Sequence, residues 1–159
     1  MARVVAAIGV GSNLGERASH LTFARDALGG VLSALRFSSI VETDPVGVLE
    51  PQGRFLNAAA VGETRLDARE LLSALLALEG KRGRQRPAAN APRTLDLDLL
   101  LFGDLVLNEP GLQIPHPRFR ARRFVLEPLA EIAPGLVDPV TRKTIVELLS
   151  DLTAVPPAG

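Results

Sequence analysis

Two aspartates one residue apart, Asp96 and Asp98, interrupt the leucine-rich run "RTLDLDLLLF" from Arg93 to Phe102. A β-strand repeats every two residues, so both carboxylates fall on one face with Thr94 and Leu100, while Leu95, Leu97, Leu99 and Leu101 take the other. Alternate strand positions lie roughly 6 to 7 Å apart, and two anions at that spacing on a half-buried face repel each other and resist desolvation. Something positive must lie between them. A divalent metal and a set of arginine ion pairs both meet that need, and the two aspartates alone leave the choice open.

The charges around them are unevenly mixed. Between Glu79 and Asp96 every charge is positive, at Lys81, Arg82, Arg84, Arg86 and Arg93. Between Glu109 and Glu127 the same holds, with Arg118, Arg120, Arg122 and Arg123 near His116. Two acid-free basic segments flanking paired aspartates suit a polyanion carried with metal ions, although a solvated surface is the ordinary fate of a charge run. Arg84, Arg86, Arg93, Asp96 and Asp98 together match what phosphoryl transfer demands: metal on the phosphate oxygens and guanidinium groups on the developing charge. Mg²⁺ suits such a pair because it takes a few carboxylates plus water and substrate phosphates.

Other residue types point the same way with less force. Phe55 and Asn57 share a strand face, where a ring and a carboxamide can hold a flat heterocycle, and Phe124 beside the second basic segment can supply an opposite wall. Core packing is the better reading of Phe55 taken alone. His116, between Pro115 and Pro117, is open to a structural role or to a ligand role. The opening "GVGSNLGER" lacks the Gly-Lys-Ser/Thr ending of a P-loop, and Gly9, Gly11 and Gly15 miss the dinucleotide spacing, so a tight strand-to-helix turn accounts for it.

The elements that must position these residues follow from periodicity. "RVVAAIGV" reads as a central buried strand. A helix follows with Leu21, Ala24 and Leu28 on one face, capped by Ser12 or Asn13 and stopped at Gly29-Gly30. "LRFSSIVETD" and "GRFLNAAAVGET" read as strands, the first ended by Pro45. Asp67 and Glu70 make a capping-box start for a leucine-rich helix, and the aspartate strand comes next. The order βαββαβ predicts an α+β fold, the ferredoxin-like sandwich of an antiparallel sheet with helices on one face. A short helix around "EPLAEIAP" and a C-terminal helix started by Thr144 and Glu147 form a helical extension. One domain is expected across residues 1–159, with 153–159 a frayed tail.

Length and composition agree with a single packed domain: 159 residues, 47% hydrophobic. With no cysteine, disulfides, thiol catalysis and cysteine-bound zinc are excluded. No run approaches the ~20 apolar residues of a membrane span, so a cytoplasmic protein is expected. A ferredoxin-like nucleic-acid-binding module or a non-catalytic nucleotide-binding module is the alternative. Aromatics are only 4% of the chain, without Trp or Tyr, which leaves little for stacking bases, so no nucleic-acid partner is expected.

Four blocks, "IGVGSNLGER", "FLNAAA", "PRTLDLDLLLFG" and "IPHPRFRARRFVLEPLAEIAP", resemble in order those of the 6-hydroxymethyl-7,8-dihydropterin pyrophosphokinases of folate biosynthesis, and the match spans roughly Ala6 to Leu149. The resemblance implies transfer of the β,γ-pyrophosphoryl unit of ATP to the pterin hydroxymethyl group, with release of AMP. It implies that Asp96 and Asp98 hold two Mg²⁺ ions and that Arg84 and Arg93 act in catalysis. It further implies that Arg84, Arg86, Arg93, His116 and Arg122 contact ATP, and that Thr43, Val46, Phe55, Asn57 and Phe124 bind the pterin. A monomer acting on these two small molecules is expected. The chain departs from the pattern at Asn90, where many members carry a sealing tryptophan, at Pro117, where an aromatic is common, and at Asp44, where proline is frequent. Those departures bear on loop closure and affinity more than on the type of reaction.

Overall fold

The computed structural model describes residues 2–13, 16–43, 55–82 and 94–154. In chain order its elements are β1 (Val4–Ser12), α1 (Arg17–Leu28), β2 (Ser33–Phe37), β3 (Val41–Thr43), β4 (Phe55–Thr64), α2 (Ala68–Lys81), β5 (Asp96–Phe102), β6 (Leu107–Glu109), β7 (Leu112–Ile114), α3 (Arg123–Ile132) and α4 (Ile145–Ala154). The main sheet runs β2-β4-β1-β5, with β3 pairing β4 beyond the end of β2. The pairs with β4 and those with β1 are all antiparallel, which is the ferredoxin-like α+β order that the element sequence predicts.

The two faces of this sheet are covered by different helices. Leu21, Ala24 and Leu28 of α1 and Leu71, Leu75 and Leu78 of α2 pack on Ile8, Val10, Ala58, Ala60, Leu97 and Leu99. On the other face Leu126 and Leu129 of α3 and Ile145 and Leu148 of α4 pack with Phe119 on Ala7, Ala59, Val61, Leu100 and Leu101. The βαββαβ unit thus keeps its own helices on one face, and the C-terminal extension supplies the second layer. Each fully buried leucine in these layers contributes about 1.5–3 kcal/mol.

Local signals hold where the residues bond among themselves. Asp67 Oδ1 accepts the Glu70 N–H at 2.8 Å and Glu70 Oε1 accepts the Asp67 N–H at 3.0 Å, the reciprocal capping box that starts α2. Thr144 and Glu147 bond in the same way at the start of α4. That helix continues to Ala154, two residues into the segment expected to fray, and 155–159 lie outside the described residues.

Three expectations need correction. Neither Ser12 nor Asn13 caps α1. β1 runs on through Gly11 and Ser12 because both pair with β4, and Glu16 takes the cap position without a side-chain bond. "LRFSSIVETD" is two strands rather than one: Ser38 donates its N–H to the Ala59 carbonyl and accepts the Ala59 N–H on its hydroxyl, which breaks the ladder between β2 and β3. Leu101 does not share the face of Leu97 and Leu99. The register of β5 on β1 shifts between Ala7 and Ile8, leaving Leu100 as an extra residue, so Leu100 and Leu101 both pack under α3 and α4.

The β6–β7 hairpin was not expected. It closes at Pro110-Gly111, where Gly111 has φ +77, a conformation that favours glycine.

Candidate active site

The pairings of β1 divide one face of the sheet into rows. Ala7 lies between Val61 of β4 and Leu101 of β5, all apolar. Two residues along, Gly9 lies between Ala59 and Asp98, and at the strand end Gly11 lies between Asn57 and Asp96. Under α3 and α4 the face is core; beyond them it becomes small and polar. With neighbouring strands roughly 4.8 Å apart, Asn57 and Asp96 stand about 10 Å from each other across a glycine floor.

Gly11 leaves that floor bare, and a side chain there would crowd Asn57. A Cβ built there would lie 3.2 Å from Asn57 Oδ1 and 3.9 Å from a Phe55 ring carbon. Asn57 is 6% exposed and donates Nδ2 to Thr43 Oγ1 at 2.7 Å, which leaves its Oδ1 above Gly11. Phe55 and Thr43 face each other as register partners on β4 and β3. Thr43, Phe55 and Asn57 therefore form one cluster with Gly11.

Asp96 and Asp98 are half-buried and line a cleft of about 630 Å³ beside the outer edge of β5. The size lies within the range of small-molecule sites. α2 contributes Leu72, Leu76 and Glu79, the β6–β7 hairpin contributes Asn108 to Gln113, and His116 and Pro117 also line it. His116 is fixed by its backbone N–H to the Leu100 carbonyl at 2.9 Å, and its Nδ1 accepts the Arg118 N–H at 3.2 Å. Burial first, then the Arg122 and Arg118 charges, lower its pKa to about 4. It is a neutral imidazole at pH 7, with its proton on Nε2.

Arg122 precedes α3, and its guanidinium lies 5.6 Å from the centre of the Phe124 ring on the first turn of that helix, a cation–π distance. A second arginine of the segment is committed elsewhere. Arg120 Nε and Nη2 grip Asp138 Oδ2 and Oδ1 at 2.5 and 2.9 Å, locking the turn Phe119–Ala121 to the α3–α4 connection. Asp138 is fully buried, and its pKa falls to about 2: bonds from Arg120, Thr141 and the Val140 N–H outweigh the upward push of burial, the largest single effect.

The structure thus brings together Asp96, Asp98 and His116 along the cleft, and Thr43, Phe55 and Asn57 at the adjoining end of the sheet. It sets Arg122 and Phe124 on a separate element. Arg84, Arg86, Arg93 and Val46, named from the sequence, lie outside the described residues. Among the described residues no three His, Cys, Asp or Glu side chains gather as a metal-binding group. The donor set at Asp96 and Asp98 nevertheless fits Mg²⁺, because two hard oxygen ligands on a rigid strand and an open cleft leave room for water and phosphate. Sequence reading missed Glu79 and the hairpin. The Pro110-Gly111 dipeptide signalled the hairpin, whereas nothing in "LLALEGK" distinguishes Glu79 from a solvated residue.

Fold and site together define an α+β protein with a split-βαβ sheet and an acidic cleft along its edge strand. Residues 7–134 match the model of the 7,8-dihydro-6-hydroxymethylpterin-pyrophosphokinase family, and the chain belongs to that family. It is 43% identical over 158 residues to the 2-amino-4-hydroxy-6-hydroxymethyldihydropteridine pyrophosphokinase of Synechocystis sp., a match covering 97% of this chain and 80% of that one. It is 42% identical over 135 residues to the mitochondrial folate synthesis bifunctional protein of Arabidopsis thaliana, covering 82% of this chain and 24% of the relative. The fold is also that of the Plasmodium falciparum HPPK-DHPS crystal structure, with a TM-score of 0.74 at 14% identity, covering 94% of this chain and 45% of that one. Among the described residues no helix is long and apolar enough to cross a membrane.

Proposed function

We propose that this member of the pyrophosphokinase family transfers the β,γ-pyrophosphoryl unit of ATP to 6-hydroxymethyl-7,8-dihydropterin, the step its relatives' names place in folate synthesis. The hydroxymethyl oxygen forms a bond to the β-phosphorus, the bond from that phosphorus to the bridging oxygen of the α-phosphate breaks, and AMP leaves with that oxygen. The observation that carries the reading is the row Asn57, Gly11, Asp96, which sets the buried carboxamide and the carboxylate pair on one sheet face with only glycine between them.

Asp96 and Asp98 would hold Mg²⁺, two ions in this reading. Bound there, Mg²⁺ supplies neutralisation of the phosphate oxygens and a template for in-line attack. The cleft supports this requirement, because Asp96 and Asp98 both line it and present hard oxygen ligands of the kind through which Mg²⁺ carries substrate phosphates. Arg84, Arg86, Arg93 and Arg122 would bind the phosphates, Arg84 and Arg93 meeting the charge that develops on transfer. The His116 Nε2–H is available to donate to a phosphate oxygen.

On the pterin side Asn57 Oδ1 would accept from the ring edge, with Thr43 holding the carboxamide in that rotamer. Val46 would complete the edge contacts, and Phe55 and Phe124 would pack on the ring faces. Asp96 shares its row with Asn57, which makes it the carboxylate nearer the attacking hydroxyl and the candidate to receive its proton. Each named residue comes from one chain, so a monomer suffices.

Product identification tests the reading. Purified protein with ATP, Mg²⁺ and the hydroxymethyl pterin is expected to yield AMP and pyrophosphorylated pterin, and no product with EDTA. Release of ADP instead would reject pyrophosphoryl transfer, and equal turnover in EDTA would reject the metal role.

A further inference from the structure

Pyrophosphoryl transfer at Asp96 and Asp98 leaves Glu79 without a task. It stands near the end of α2, is 4% exposed, and forms part of the cleft wall. Its buried helix face is otherwise Leu71, Leu75 and Leu78, where a carboxylate is costly unless its oxygens are hydrogen-bonded. Its Oε2 accepts the peptide N–H of Leu97 at 2.7 Å. Leu97 is the residue between the two aspartates, and among the described residues β5 ends the sheet, paired with β1 on one side only. The Glu79 carboxylate oxygen therefore supplies the acceptor that a neighbouring strand would otherwise give.

We infer that Glu79 is a positioning residue for the aspartate pair. Its bond fixes the pleat of β5 at Leu97, and that pleat sets the spacing and direction at which Asp96 and Asp98 enter the cleft. Glu79 acts through the backbone and is not a third ligand: no three acidic or imidazole side chains gather among the described residues. The inference rests on the reading of Asp96 and Asp98 as the Mg²⁺ ligands. Groups that orient metal ligands from outside the coordination sphere alter metal affinity by about 10–100-fold when removed.

Three variants of the full chain separate the bond from the charge. Glu79→Gln retains an acceptor of the same reach without the charge. Glu79→Asp retains the charge on a stem one methylene shorter, and Glu79→Leu retains neither. The readouts are hydrogen exchange at the Leu97 amide in metal-free protein, the Mg²⁺ concentration giving half-maximal rate, and thermal stability. Glu79→Gln is expected to keep Leu97 protected and the Mg²⁺ requirement near the parent's. Glu79→Asp and Glu79→Leu are expected to expose Leu97 and raise the Mg²⁺ requirement by about ten-fold or more.

A Glu79→Asp variant that matches the parent while Glu79→Gln fails would assign the role to charge and overturn the inference. Unchanged Mg²⁺ dependence in all the variants, with stability alone reduced, would overturn it in favour of simple docking of α2. If Glu79→Leu does not fold, the Gln and Asp variants still decide between bond and charge. A parent that forms no pyrophosphorylated pterin rejects the proposed reaction and this premise together, whereas an active parent with the wrong variant order rejects only the inference.

Discussion

One face of the main sheet has two halves built on the same strands, β4, β1 and β5, with a one-residue slip of β5 between them, and their side chains differ sharply. Around Ala7, Val61 and Leu101 the face is sealed by α3 and α4. Around Gly9, Gly11, Asn57, Asp96 and Asp98 it carries small and polar groups, and the two aspartates line a cleft. The sealed half supplies rigidity, since its residues have close-packed neighbours and no alternative arrangement of similar energy. The polar half cannot be rigid by itself, because paired carboxylates and a bare glycine floor contribute little packing. It is held by continuity with the sealed half along the same three strands.

The largest break of this comparison is at the carboxylates. Asp96→Ala or Asp98→Ala should lower turnover by about 10³-fold, the upper range for removing one group that stabilises transition-state charge. Thermal unfolding should shift little, because neither side chain belongs to a packed layer. Near-parent turnover of either variant would detach the chemistry from this pair.

In the sealed half the effects should be opposite. Leu129→Ala removes a fully buried side chain and should cost about 2–5 kcal/mol in urea unfolding. The folded fraction should retain the parent KM values. A large change in KM without loss of stability would mean that the halves are not separable.

The pH dependence of stability sharpens the contrast further. Asp138, under the sealed half, has its pKa lowered from 3.8 to about 2. Its ionised form therefore stabilises the fold above pH 3.8, by about 2 kcal/mol, and that contribution is lost as pH falls through about 2. Asp138→Asn should abolish this acid-limb dependence in unfolding experiments. His116 is lowered from 6.5 to about 4 by burial and by Arg122 and Arg118. Below pH 6.5 the unfolded chain binds a proton that the folded chain refuses, so stability declines from pH 6.5 towards pH 4. His116→Gln should flatten that slope.

The smallest change is a single methyl at the floor. Gly11→Ala sets a Cβ 3.2 Å from Asn57 Oδ1 and should raise the pterin KM by about ten-fold, or about 1.4 kcal/mol, with the ATP KM nearly unchanged. Equal effects on both substrates would place the pterin elsewhere.

Sequence alone carried much of this because some signals are self-contained. The Asp67–Glu70 box and the Thr144–Glu147 start depend on residues three apart in the chain. The Asp96–Asp98 pair was legible because alternation by itself puts both on one face. What sequence could not carry was decided by distant partners. Ser38 breaks a strand through Ala59, 21 residues away. Leu100 is an extra residue inside a run of leucines, where a change of face leaves no change of residue type. Glu79 looks like any polar helix residue until Leu97, 18 positions on, is placed beside it.

The extra residue at Leu100 also bears on how this chain tolerates change. In a strand of strict alternation, one insertion or deletion reverses the facing of everything beyond it. Here one such slip is already absorbed at the boundary between the two halves, so β5 behaves as two short segments with independent phase. The stretch from Thr94 to Leu99 is in that sense a portable cassette. Grafted onto the edge of another antiparallel sheet, it would carry the facing of its aspartates with it, whatever followed.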